Sequence, residues 1–110
     1  MELNIVSWNV NSINARIDNL IFYLKNHNPD ILLLQELKCE EEKFPYKKLE
    51  EFGYNIAISG QKTYNGVAIF SKYKLENITT KLPSFDIDNE DNQARFIKAT
   101  VNINNQNINI

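Results

Sequence analysis

The sequence is poor in the residues that build disulfide frameworks, cysteine–histidine metal sites and strongly basic surfaces. It contains one cysteine, Cys39, and one histidine, His27, among 110 residues. A single cysteine excludes an internal disulfide and is typical of a reducing compartment, so we expect a cytoplasmic protein. Twelve Lys and Arg residues against fourteen Asp and Glu residues exclude a protein that holds nucleic acid by bulk charge alone.

Long apolar runs and the common phosphate-binding or nucleophile motifs are also missing. The longest apolar run, from Ile31 to Leu34, is far too short to span a bilayer, and no secretory signal is visible. No glycine-rich phosphate loop and no Ser-His-Asp arrangement can be identified. These absences predict no membrane partner, while 43% hydrophobic residues suffice for a packed core.

A strand–helix–strand pattern opens the chain. Leu3 to Trp8 is rich in apolar and β-branched residues and predicts a strand, and Ser12 is a candidate N-cap for the helix that follows. Pro29 should end that helix by residues 26–28, and the apolar run from Ile31 to Leu34 predicts a strand buried on both faces. The helix carries one apolar stripe: Ile13, Ile17, Leu20, Ile21 and Leu24. The unit predicts two parallel strands with a right-handed crossover.

Short strands and loops are predicted for the rest of the chain. A short helix should span Tyr46 to Phe52 and end at Gly53. Pro83 to Asn92 is acidic and polar and predicts an exposed loop. Asn104 to Gln106 predicts a hairpin turn into a last strand, which begins at Asn107 and is interrupted at Ile110. We therefore expect a chain that has been cut short. The other predicted strands are Tyr54 to Ser59, Val67 to Ser71, Leu75 to Leu82 and Phe96 to Ile103.

Polar residues follow the first two predicted strands, where open α/β sheets bind ligands. Asn9 and Asn11 come after the first strand and Glu36 after the second, so that adjacent parallel strands would bring Asn9 and Glu36 into one crevice. A carboxylate supported by amide oxygens is a partial shell for Mg²⁺. The alternative on spacing alone is that Asn9 and Asn11 are turn residues and Glu36 is a solvated strand end.

Three further features could contact a phosphate, each with a simpler alternative. Lys38 shares a face with Glu36 on an extended backbone and could orient that carboxylate, or it is a surface lysine. The loop from Gly60 to Gly66 joins glycines, a lysine and Tyr64, which could pack on a sugar-phosphate backbone or only shield a hairpin. Arg95 could bind a phosphate or form a structural ion pair.

Two residues are predicted to lie outside any catalytic role. His27 ends the first helix, and parallel crossover geometry sends that end toward the amino ends of the strands, away from the crevice. We interpret it as a helix-terminal residue and not a general base. Cys39 has no second cysteine or histidine to pair with and is interpreted as a small buried residue.

Five segments stand along the chain in a distinctive order. They are Trp8 to Ile13, Asp30 to Lys38, Gly53 to Ala57, Gly60 to Ala68 and Gln93 to Ile97. Together they resemble the exonuclease III family of abasic-site endonucleases, in its order and at its spacing, across almost the whole chain. The loop from Gln61 to Ala68 resembles the DNA-repair branch of the wider endonuclease-exonuclease-phosphatase superfamily.

This resemblance implies an α/β fold, namely the N-terminal portion of a four-layer α/β sandwich with two packed mixed β-sheets and outer helices. Residues 1–110 would form one incomplete domain. It also implies Mg²⁺-dependent cleavage at abasic sites, with Mn²⁺ as an alternative metal, and 3′–5′ exonuclease action. The implied partner is double-stranded DNA with abasic sites or 3′ ends.

Carried over by position, the resemblance implies roles for the polar residues. Glu36 would be the Mg²⁺ ligand, with Asn11 at the neighbouring metal-side position. Asn9 would position the polar network, and Tyr64 would face the DNA backbone, so that Asn9, Glu36 and Tyr64 are the catalytic candidates. The DNA-binding or supporting candidates are Lys38, Lys62, Asn65 and Arg95.

The second half of the family's apparatus has no counterpart in this sequence. Family members are more than twice as long, and their later half supplies an Asp-x-Asn element, a second tyrosine and an Asp-His pair. We therefore expect the chain alone to be inactive, and we expect a C-terminal half as a further partner. Two alternatives stay open. One is a non-catalytic remnant of a truncated or decayed gene, and the other is a phosphodiesterase acting on a phosphoinositide or sphingolipid.

Overall fold

The computed structural model describes residues 3–80, 96–103 and 106–110. Seven strands and two α-helices are formed within these residues. In chain order they are β1 (Ile5–Asn9), α1 (Ile17–Asn26), β2 (Ile31–Gln35), α2 (Tyr46–Leu49), β3 (Asn55–Ser59), β4 (Val67–Ser71), β5 (Leu75–Thr79), β6 (Lys98–Ile103) and β7 (Gln106–Asn109). Short 3₁₀ helices at Glu41–Lys43 and Glu50–Phe52 flank α2. The predicted loop from Pro83 to Asn92, Arg95, and the turn residues Asn104 and Asn105 lie outside the described residues.

The strands form two sheets. The first has the order β1-β2-β4-β3, with β1 parallel to β2 and β4 antiparallel to both of its neighbours. Ile5 of β1 stands opposite Ile31 of β2, and this register continues to Asn9 opposite Gln35. The parallel pairing predicted for the first two strands is therefore confirmed. The second sheet has the order β5-β6-β7 and its described strands are antiparallel.

Two apolar cores separate three layers in the described part of the chain. Residues Leu32 and Leu34 of β2 point to one face of the first sheet, where they pack with Leu20 and Leu24 of α1. Alternate residues point to the opposite face, which packs on the second sheet through Ile31, Ala57, Ile69, Ala99, Val101 and Ile103. The order helix, sheet, sheet agrees with the N-terminal portion of the expected sandwich.

The first helix begins later than predicted. Ser12 is not its N-cap, because the helix starts at Ile17 with Arg16 at the cap position. The main chain of Ser12 and Ile13 instead extends the sheet, since their N–H groups donate to the carbonyls of Glu36 (2.8 Å) and Leu37 (3.0 Å). Ser12 closes a separate turn, in which its hydroxyl accepts the N–H of Ala15.

The second helical segment follows its prediction more closely. It divides into the α-turn of α2 and the 3₁₀ turn at Glu50–Phe52, and it ends at Gly53. Gly53 adopts a left-handed conformation with φ of 71°. Glycine is favoured at such a helix end because it has no Cβ to strain the backbone.

Candidate active site

Three loops lie side by side beyond the carboxyl ends of β1 and β2. The segment after β1 bonds to the segment after β2, as the N–H groups of Ser12 and Ile13 show. The segment after β2 bonds in turn to the Gly60–Gly66 loop, because the N–H groups of Leu37 and Lys38 donate to the carbonyls of Gly66 (3.0 Å) and Asn65 (2.8 Å). The loops thus continue the β1-β2-β4 ladder past the ends of its strands.

Asn9 and Glu36 meet at this edge. The side-chain amide of Asn9 donates to a carboxylate oxygen of Glu36, and the Asn9 amide oxygen accepts the N–H of Asn11 at 3.1 Å. Asn9 is therefore fixed from both ends. The proximity predicted from the parallel strands is confirmed, and Glu36 receives a defined orientation.

Lys38 joins the other two polar groups of the crevice. Its ammonium donates to the amide oxygen of Asn11 at 2.5 Å and lies 4.0 Å from a carboxylate oxygen of Glu36. Asn9, Asn11, Glu36 and Lys38 thus form one connected group, which we call the polar cluster. All four side chains remain at least partly open to solvent, so a phosphate or a hydrated cation could approach them.

The shared direction of Glu36 and Lys38 does not come from an extended backbone, as the sequence pattern suggested. Both residues have positive φ, 54° and 55°. Leu37 between them is fully buried. The backbone therefore turns twice so that Leu37 enters the core while both charged side chains face the crevice. Left-handed non-glycine residues are costly and concentrate at functional sites.

Two glycines make the close contact between the loops possible. A Cβ built on Gly66, whose φ is 96°, would stand 3.0 Å from the Cβ of Leu37. A Cβ on Gly60 would stand 2.8 Å from the carbonyl oxygen of Cys39 and the amide nitrogen of Glu41. Leu37 and Gly66 were not among the predicted site residues, although the glycine at the end of a loop was the available signal.

The Gly60–Gly66 loop places its predicted residues differently. Asn65 is half-buried, and its side-chain amide donates to Gln61 at 3.3 Å, while its carbonyl anchors Lys38. Lys62 and Tyr64 are exposed. The described contacts therefore bring Asn65 to the polar cluster through its backbone and leave Lys62 and Tyr64 on the surface of the same loop. Arg95, the remaining candidate, lies outside the described residues.

His27 and Cys39 follow their predictions. His27 stacks on Tyr23 with ring centroids 4.7 Å apart, and it lies beside Asn4 and Ile5 at the amino end of β1. It is thus remote from the crevice. Cys39 is a buried free thiol, and burial raises its pKa above the ordinary value of 9.0.

The donor set of the polar cluster fits a hard divalent cation held mostly by other ligands. Glu36 supplies one carboxylate at an open edge, whereas the amide oxygen of Asn11 is taken by Lys38. Among the described residues no three His, Cys, Asp or Glu side chains converge. A single carboxylate suits Mg²⁺, which keeps several waters and takes phosphate oxygens as ligands.

A family model matches nearly the whole chain. The model describes the endonuclease/exonuclease/phosphatase family, and it matches residues 6–108. The exodeoxyribonuclease III of Haemophilus influenzae is 37% identical over 97 residues, which are 88% of this chain and 35% of that protein. The chain therefore spans about a third of the length of this curated relative.

Solved structures show the same fold. A 3′ phosphatase from Neisseria bound to a product DNA hairpin superimposes with a TM-score of 0.82 at 44% identity, over 91% of this chain and 38% of that one. An AP endonuclease from Archaeoglobus fulgidus superimposes with a TM-score of 0.81 at 36% identity, over 98% of this chain and 40% of that one. In the part of the chain that the structure describes, no helix has the length and apolar character needed to cross a bilayer.

Proposed function

Because the chain belongs to the endonuclease/exonuclease/phosphatase family, we propose that it is the metal-side part of a Mg²⁺-dependent DNA-repair phosphodiesterase of exodeoxyribonuclease III type. The proposed substrate is double-stranded DNA, cut at abasic sites and shortened from 3′ ends. The observation that carries the proposal is the hydrogen bond between Asn9 and Glu36 at the carboxyl ends of two parallel strands. It presents an oriented carboxylate at the edge where α/β sheets bind ligands.

The polar cluster supports phosphodiester chemistry by its charges. Glu36 would hold Mg²⁺, which supplies charge stabilisation to the phosphate oxygens and the leaving group when bound. Asn9 keeps the carboxylate pointed at the crevice through its amide. Lys38 contributes a positive charge 4.0 Å from Glu36, within reach of a phosphate drawn to the same edge. Asn11 holds that ammonium in place.

The Gly60–Gly66 loop supports DNA as the substrate. Its backbone is anchored to the segment that carries Glu36 and Lys38, so that it stands at the rim of the crevice. Tyr64 leaves 67% of its surface exposed, which is unusual for an aromatic side chain without a function in contact. Tyr64 and Lys62 would meet the sugar-phosphate backbone there, by packing and by charge. The Neisseria relative is bound to a DNA hairpin in its solved structure.

We further propose that the chain has no significant nuclease activity alone. Water activation and leaving-group protonation need groups that the polar cluster does not contain, and removing members of a catalytic unit usually costs several orders of magnitude in rate. The curated relative is about three times as long. The missing groups would come from the part of the family domain that this chain does not span.

An abasic-site nicking assay tests the proposal. The chain is incubated with a duplex that carries one abasic site, with Mg²⁺ or with EDTA, alone or co-expressed with the later part of the Haemophilus relative. We expect Mg²⁺-dependent nicking only from the co-expressed pair. Glu36→Gln should abolish it, whereas Glu42→Gln, which changes an exposed carboxylate on the neighbouring 3₁₀ turn, should leave it unchanged.

Two results of this assay would contradict the proposal. Nicking by the chain alone would contradict its incompleteness. Full activity of the Glu36→Gln pair would contradict the role of the polar cluster. A pair that cleaves a phosphoinositide or sphingomyelin and spares the abasic duplex would favour the non-DNA alternative within the same superfamily.

A further inference from the structure

The first strand lies at the edge of its sheet without a partner on its outer side. In the described residues β1 pairs with β2 alone. Its sequence, IVSWN, contains no charged residue and no proline. Natural edge strands are usually protected by charges, proline, bulges or a covering element, because unpaired strand edges attract other chains. β1 lacks the first two of these protections.

The other edge strands of the described sheets are protected. β3 lies against β5 of the second sheet. β5 carries Glu76 and has a register shift in its pairing with β6, and β7 exposes Gln106 and two asparagines. Among these four edges β1 is thus the one that is both apolar and uncovered.

Both faces of β1 are also open. Ile5 points to the side on which the second sheet packs, but that sheet covers Ile31, Ala57 and Ile69, and Ile5 leaves 49% of its surface exposed. On the other face Val6 and Trp8 are only half-buried against the helix layer. An apolar strand with an open edge and two open faces is typical of an element whose neighbour is supplied from elsewhere.

A groove runs along this edge between β1 and α1. Its volume is about 720 Å³. The lining is mainly apolar and aromatic, from Val6, Trp8, Phe22, Tyr23 and Leu32. A smaller cavity of about 270 Å³ continues it past His27 to Asn4 and Pro29. The two together follow the whole of β1, which at about 3.3 Å per residue is the length of a short extended segment.

We propose that the edge and groove of β1, which we call the β1 groove, accept an extended strand from the remainder of a nuclease domain of this family. Strand addition would pair the free backbone groups of β1, and alternate side chains of the added strand would cover Ile5 on one face and fill the groove beside Phe22 and Trp8 on the other. The proposal rests on the proposed function only for the identity of this occupant. The relatives have the necessary additional chain, since this chain spans 38–40% of the solved structures.

The position of the β1 groove connects it to the polar cluster. β1 ends at Asn9, whose amide holds Glu36. An added strand beside β1 therefore ends, or begins, next to the polar cluster. Groups at that end of the strand would supplement the single carboxylate of Glu36, and the site is incomplete without them.

Co-expression of the chain with the later part of the Haemophilus exodeoxyribonuclease III tests this docking. Hydrogen–deuterium exchange of residues 5–9 is compared in the chain alone and in the purified pair. We expect a one-to-one complex by light scattering and at least about tenfold slower exchange in β1, as expected for newly paired backbone amides. Exchange in β5 and β7 should change less.

Two matched substitutions locate the contact. Ile5 and Ile78 leave 49% and 50% of their surfaces exposed, so that a lysine at either position disturbs the chain alone by a similar small amount. Ile5→Lys should weaken the complex by at least about tenfold, because a charge would be buried against the added strand. Ile78→Lys, on β5 of the second sheet, should leave its affinity unchanged.

Each other outcome would overturn the docking proposal. These outcomes are no complex with the later part, a complex whose protection falls outside β1, equal effects of the two lysines, or protection of β1 by self-association of the chain. The nicking assay is separate from these measurements. A complex that protects β1 but does not nick DNA would leave the docking intact and contradict the proposed function.

Discussion

The main chain of Leu37 is hydrogen-bonded to that of Gly66 at 3.0 Å, and the Leu37 side chain occupies the space next to the position where residue 66 would carry a Cβ. Leu37 is fully buried and separates Glu36 from Lys38. The contact between one buried leucine and one glycine thus fixes the backbone from which both charged residues of the polar cluster project.

Gly66→Ala should lower the free energy of unfolding by about 3 kcal/mol. The new methyl group meets Leu37 at 3.0 Å, and φ of 96° is strained for any residue with a Cβ. Gly53→Ala is the control, because Gly53 also has positive φ but nothing lies within 4 Å of its Cβ position. Backbone strain alone predicts a loss of about 1 kcal/mol there. Urea unfolding followed by Trp8 fluorescence measures both, and equal losses would contradict the contact.

Lys38→Met should strengthen the binding of a divalent cation by about three- to tenfold. The ammonium lies 4.0 Å from Glu36 and occupies the amide oxygen of Asn11, so its removal takes away a repelling charge and releases a ligand atom. Water-proton relaxation during a Mn²⁺ titration gives the affinity. Lys72→Met is the control, since Lys72 donates to the Asn28 carbonyl, away from the polar cluster. Weaker binding by Lys38→Met would show that the lysine arranges the ligands.

Tyr64→Ala should weaken the binding of duplex DNA by about fivefold or more, because aromatic packing on nucleic acid contributes about 1–3 kcal/mol per contact. Stability should change little. The control is Phe22→Ala, because Phe22 of α1 leaves 71% of its surface exposed, close to the 67% of Tyr64. Anisotropy of a labelled duplex at low ionic strength measures both variants. The DNA-facing role of Tyr64 would be lost if the two variants bound equally well.

The free energy of unfolding should be constant near neutral pH and should fall in alkaline solution. Burial raises the pKa of the Cys39 thiol above 9.0, and the pKa of Tyr54 is raised above 10.0 by burial, with a smaller effect of the Asp30 charge. Groups with raised pKa hold their protons more tightly in the folded chain. Their contribution is therefore complete below the unfolded values and is lost as pH rises through the folded ones.

Cys39→Ala separates the two contributions to this alkaline loss. The variant should lose the part that begins near pH 9 and keep the part due to Tyr54, whose hydroxyl donates to the Pro29 carbonyl at 2.6 Å. Urea unfolding at several pH values measures both chains. A stability that stays level up to pH 11, or an unchanged slope in Cys39→Ala, would not agree with this account.

The sequence pattern was sufficient for the parts of the fold that depend on local periodicity. The apolar run from Ile31 to Leu34 and the stripe of α1 predicted a strand and a helix, and the parallel pairing of β1 with β2 followed from their order. The start of α1 could not be predicted in this way. Ser12 and Ile13 are drawn into the ladder by the carbonyls of Glu36 and Leu37, and a pairing between distant segments leaves no local signal.

The same distinction applies to the site. Because parallel strands bring their carboxyl ends together, the meeting of Asn9 and Glu36 could be predicted. The left-handed backbone of Glu36 and Lys38 could not, because it results from the burial of Leu37 against Gly66. The roles assigned to Asn11, Lys62, Asn65 and Tyr64 stay predictions, and Arg95 lies outside the described residues.

Anomalous diffraction from crystals soaked in Mn²⁺ tests the central claim most directly. The account predicts one strong peak about 2 Å from a carboxylate oxygen of Glu36, a coordination distance for a hard divalent cation, with the Asn9 amide still bonded to the other oxygen. A Mn²⁺ ion bound elsewhere while Glu36 stays free, or a structure in which Asn9 and Glu36 are apart, would contradict it.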